Sequence, residues 1–110
     1  MANAELARRV LDAIWQNPEA FDMDTWHDSV DETPLDPNED PSCGTTMCVA
    51  GWTAHLTGWR VWGSDASKDG VQRDVDDVAA DALGLSKTDT AVLFYSTPWR
   101  AIEILEEMAS

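Results

Sequence analysis

Two cysteines and two histidines are the residues of this chain best suited to chemistry. Cys43 and Cys48 bracket a Gly-Thr-Thr-Met run in CGTTMCVAGW, and His27 and His55 are the only imidazoles. Together they make a Cys2His2 set, the ligand count that tetrahedral zinc takes. The spacing argues against zinc, because on one helix Cys48 and His55 would stand about 10 Å apart along the axis. C-x4-C is also not the C-x-x-C of thiol redox proteins. A thiol at a helix N-terminus would have a lowered pKa. A metal- or thiol-dependent protein using Cys43 and Cys48 with His27 or His55 is therefore the alternative reading. The leading one makes the cysteines small apolar packing groups at the start of a buried helix, with no cofactor.

Three other patterns suggest chemistry and are weaker. Asp65, Ser67, Asp69, Gly70 and Asp76 fall at positions one, three, five, six and twelve of a calcium loop. Asp76 stands where the longer Glu is usual, Gln72 replaces the customary apolar residue, and GWRVWGS is a poor entering helix. An ordinary polar turn is the expectation. Thr45 and Thr46 could cradle a phosphate at a helix start, but no Lys or Arg is near, and hydroxyl capping explains them better. The carboxylates have surface-type spacing that singles out no acid–base pair, so no catalytic residue is assigned.

The elements that must position these residues are mostly helical. Leu6, Val10, Leu11 and Ile14 recur at helical spacing over 3–17, with Asn3 as cap and Pro18 as stop. A second helix is expected from Thr45 or Thr46 to Thr57, with Gly58 as its stop. TMCVAGWTAHLT carries no formal charge when His55 is neutral, which places it in the interior. Gly51 within it implies close backbone approach, since a helical glycine costs about 1 kcal/mol relative to alanine. Residues 59–72 predict a short β-hairpin or irregular loop. Asp74 to Gly84 is helical, Ser86 with Asp89 resembles a capping box, and Thr97-Pro98 opens a last helix expected to bury Trp99, Ile102, Leu105 and Met108.

These segments predict one domain over 1–110, all-α, with about five helices arrayed around a buried central one. The tryptophans at 15, 26, 52, 59, 62 and 99 should mostly serve the core, Trp59 and Trp62 being the two expected nearest the surface. Residues 28–42, DSVDETPLDPNEDPS, hold three prolines and six acids without a base, which predicts an extended solvated loop.

Charge narrows the function classes. Twenty-one acids against seven bases leave a net −14. Such a surface repels nucleic acid and anionic membranes and attracts a basic protein or the groove of a nucleic-acid-binding one. No apolar run reaches the roughly 18 residues of a spanning helix, and MANAELARRV lacks a secretion signal's apolar centre. A cytoplasmic location is expected.

Pro18-Glu19-Ala20-Phe21-Asp22-Met23, then Trp26, CGTTMCVAGW and Leu83-Gly84-Leu85, resemble a pattern shared by small uncharacterised proteins of actinobacteria and their phages. The resemblance implies an accessory protein, phage-encoded, working inside a bacterium, and carries no catalytic residues over. The expectation is a non-enzymatic protein that binds and inhibits a host protein, DNA mimicry being one version. Its contacts would be Asp31, Glu32, Asp36, Glu39 and Asp40 of the acidic loop, with Trp59, Arg60 and Trp62.

Overall fold

A computed structural model describes residues 3–23, 27–29, 34–38 and 45–109. In order, its elements are α1 (Ala4–Gln16), a 3-10 turn (Pro18–Ala20), β1 (Asp28–Ser29), β2 (Thr45–Thr46), α2 (Val49–Leu56), β3 (Arg60–Trp62), β4 (Asp65–Lys68), β5 (Val71–Asp74), α3 (Val75–Leu83), α4 (Lys87–Phe94) and α5 (Pro98–Ala109). The all-α expectation is corrected. The helices share the fold with an antiparallel three-stranded sheet, β3-β4-β5, and with the short β1-β2 pair, an α+β arrangement that is mainly helical.

The short hairpin expected over 59–72 is there as β3 and β4, and β5 adds a third strand that the sequence pattern does not show because the sheet is so polar. Only Val61 and Ala66 of its strands are buried, and they pair directly with each other. Turn chemistry carries the signal instead. Asp69 and Gly70, at φ 51° and 82°, form the left-handed corner that Asp-Gly favours between hairpin strands.

Each helix is placed by its apolar face. The Asn3 side chain caps α1 by accepting from Leu6 N–H at 3.0 Å, and Leu6, Val10, Leu11 and Ile14 are buried. α1 makes its broadest contact with α5, and α2 with α3. Ser86 caps α4 through Asp89 N–H, and Thr97 Oγ1 caps α5 through Arg100 N–H. In α5, Ala101 and Leu105 are buried while Ile102 and Met108 are half-buried. Trp99 is 73% exposed, against expectation, because no neighbour among the described residues covers that helix face. Trp15 and Trp62 are also exposed and Trp52 is buried, so the tryptophans do not mostly fill the core; Trp26 lies outside the described residues. No helix among the described residues is long and apolar enough to cross a membrane.

The motif around the cysteines builds the centre. Thr45 and Thr46 do not cap α2; they are strand residues paired with Ser29 and Asp28, a role suited to β-branched side chains. Met47 continues the chain alongside Phe21, donating to Ala20 C=O at 2.9 Å and accepting from Asp22 N–H at 3.0 Å. Cys48 then occupies the cap position of α2 without a side-chain cap bond. Trp52, 1% exposed, donates its indole N–H to Ala20 C=O at 3.2 Å. Pro18–Met23 thus bonds to Met47 and Trp52, which joins the two most distinctive stretches of the sequence. Every residue of α2 from Val49 to His55 is buried, Gly51 included, and Thr53 satisfies its hydroxyl on Val49 C=O at 2.7 Å.

Candidate functional site

The cysteine–histidine constellation does not form a site among the described residues. Cys48 is a free, buried thiol. Burial pushes its pKa up, outweighing the Gly51 and Ala50 backbone amides that favour the thiolate. The lowered pKa expected at a helix start is therefore reversed, since desolvation exceeds the pull of the helix end. His27 is buried, and its Nδ1 accepts from Gly63 N–H at 3.1 Å, which fastens the β3–β4 turn. His55 lies inside α2 with its ring edge-on to Trp52, centroids 6.1 Å apart. Among the described residues Cys48, His27 and His55 do not gather into a three-ligand set. Cys43 lies outside the described residues.

The calcium-like segment is a hairpin followed by the first turn of α3. Asp65 and Ser67 belong to β4, and Asp69 and Gly70 form the corner. Asp74, Asp76 and Asp77 bring carboxylate oxygens within 4.8 Å of one another at the start of α3. The helix dipole stabilises acids at that position without an ion.

An accessible site emerges on the outer face of the sheet. Alternation sends Val61 and Ala66 inward and leaves two cross-strand rows outside. The register aligns Arg60, Ser67 and Gln72 in one row and Trp62, Asp65 and Asp74 in the other. Trp62 is 59% exposed. A cleft of about 300 Å³ lies over this face, lined by Pro34, Arg60, Trp62, Asp65, Ser67 and Gln72 among others.

One wall of the cleft comes from the acidic proline stretch, which is not the wholly solvated loop the composition predicts. Its only leucine, Leu35, is 6% exposed and exchanges both backbone hydrogen bonds with Val61, at 2.8 and 2.9 Å. An apolar residue between proline and acids was the available signal. Leu35 brings Asp36 within 3.1 Å of Arg60, an exposed ion pair.

Of the expected contact residues, Asp36, Arg60 and Trp62 therefore come together. Trp59 is half-buried and packs against the core instead. Asp31, Glu32, Glu39 and Asp40 lie outside the described residues. Sequence reasoning missed Asp65 and Asp74 as contacts because only the register sets them opposite one another.

The electrostatics of the face are one-sided. Arg60, the base of this face, is answered by Asp36; Arg73 and Lys68 belong by alternation to the opposite side of the sheet, where Arg73 pairs with Asp81 at 2.6 Å and Lys68 donates to Thr57 C=O at 3.2 Å. Asp65 and Asp74 stand directly opposite each other with no basic side chain paired to them among the described residues. Like charges so placed are destabilising, and a cation between them would relieve that. The neighbouring indole offers a π face to the same charge. No family model, curated protein or solved structure matches the chain.

Proposed function

We propose that this protein is a non-enzymatic binding module that captures a basic segment of a bacterial protein and inhibits it. The observation that carries the reading is the exposed row Trp62, Asp65 and Asp74, an aromatic surface beside two aspartates paired across the register. A lysine or arginine of the partner stacks on Trp62 and takes both carboxylates as acceptors. The net charge of −14 steers the approach. Asp31, Glu32, Glu39 and Asp40 add four further acids to the sequence stretch that carries Asp36. Where the partner binds nucleic acid, these carboxylates occupy its phosphate sites, and duplex DNA competes. The resemblance to small actinobacterial and phage proteins supports a role in a bacterial cytoplasm.

The test is affinity capture from actinobacterial lysate at about 0.15 M salt, with wild type and a Trp62→Ala/Asp65→Asn/Asp74→Asn variant as baits. A specific basic protein held by wild type and lost from the variant is expected. Equal recovery on both baits would refute the sheet face as the contact.

A further inference from the structure

A second surface lies between α4 and α5, with a chemistry of its own. Val92, Leu93, Phe94 and Tyr95 are four consecutive apolar or aromatic residues, more than one face of a helix can bury. Leu93 and Phe94 enter the core, leaving Val92 49% and Tyr95 72% exposed. α5 likewise carries a second apolar stripe. Ala101 and Leu105 are buried, while Ile104 and Met108, four residues apart, are only half-covered. Between the helices runs a groove of about 310 Å³, with Leu85, Val92, Ile104 and Met108 as its apolar lining and Asp89, Arg100 and Glu107 as its charged one. Arg100 is held by Glu103 at 3.2 Å and Glu107 at 3.7 Å, so the rim is acidic on balance. Of the large hydrophobic side chains exposed among the described residues, Val92, Tyr95 and Trp99 all belong to α4, α5 and the corner joining them.

We infer that this groove docks a basic amphipathic helix of a partner protein. An apolar floor receives its leucine-like face, and Asp89, Glu103 and Glu107 meet its lysines and arginines, the helix-in-groove mode of recognition. The volume sits at the bottom of the range of about 300–1,000 Å³ that holds small molecules, which suits side-chain anchors better than a compact ligand. A second copy of the chain is a poor occupant. It would bring two molecules of charge −14 together along their acidic rims. The inference stands apart from the sheet face, with which the groove's lining shares no residue.

The experiment titrates the intact protein with a leucine/lysine peptide of about 18 residues patterned as an amphipathic helix, long enough to hold one. A scrambled peptide of the same composition controls for charge alone. The patterned peptide should bind more tightly by about tenfold or more, equivalent to about 1.4 kcal/mol. Val92→Glu should remove that advantage although it adds a negative charge. Val71→Glu, the same change at an exposed hairpin site, should preserve it. Backbone NMR shifts on adding the patterned peptide should centre on Leu85, Val92, Ile104 and Met108, a readout that needs no variant. Equal binding of the two peptides, equal effects of the two glutamates, or shifts centred on the sheet would overturn the inference. So would self-association of wild type that Val92→Glu abolishes, since a second copy would then fill the groove.

Discussion

Trp52 and Trp62 stand ten positions apart and do opposite work. Trp52 is closed in at the centre of α2, its indole bonded to Ala20. Trp62 lies open on the sheet beside two facing aspartates. The first belongs to the stretch that most resembles a reactive motif and the second to a plain polar hairpin. Residue types that suggest chemistry are thus used here for packing, and the proposed recognition falls to a surface no motif marks. Burial explains the division. The Cys48 thiol in the interior is desolvated and its pKa raised, whereas exposed carboxylates stay open to solvent.

The contrast can be broken from either side. Trp52→Ala removes a fully buried ring and the bond to Ala20, and should cost about 3–5 kcal/mol. Trp62→Ala should leave the denaturant midpoint nearly unchanged while abolishing partner capture. A comparable loss of stability in both would erase the distinction. Leu35→Ala should cost about 2–5 kcal/mol, because that side chain pins the acidic stretch to the sheet; a chemical melt within error of wild type would show the anchor to be idle. Gly51→Leu should over-pack α2 by about 1–3 kcal/mol, read as a lowered midpoint.

The smallest effect concerns Cys48. Its folded pKa is raised by burial, while the unfolded thiol ionises near about 8.5. The stabilisation is complete below the unfolded value and is lost as pH rises through the folded one. In a Cys43→Ser background the melting temperature should fall on the alkaline side more steeply than when Cys48→Ala is added. The lone thiol should resist an aromatic disulfide reagent until the protein unfolds. Rapid labelling of the native protein would point to a reactive cysteine instead.

How much the sequence discloses depends on the physics of each element. The helices are legible because Asn3, Ser86 and Thr97 cap them and the stripes of α1 and α3 have helical period. The interior position of α2 follows from its lack of charge. Thr45 and Thr46 mislead because a hydroxyl suits a cap and a strand equally, and a distant partner, Asp28–Ser29, decides between them. The sheet is legible only in part, as a hairpin or loop over 59–72, because its buried face is so small. Leu35 pairs with a strand 26 positions away, a contact no local pattern announces. The facing of Asp65 and Asp74 exists only in the register, so the candidate site could not be read before the fold.

The central claim is that partner recognition uses the sheet face and not the cysteines. Capture with a third bait, Cys43→Ser/Cys48→Ala, beside wild type and the Trp62→Ala/Asp65→Asn/Asp74→Asn variant tests it most directly. The account predicts the same basic protein on wild type and on the folded cysteine variant, and its absence from the sheet-face variant. Loss of the partner when only the cysteines are replaced, with retention when the sheet face is altered, would contradict it.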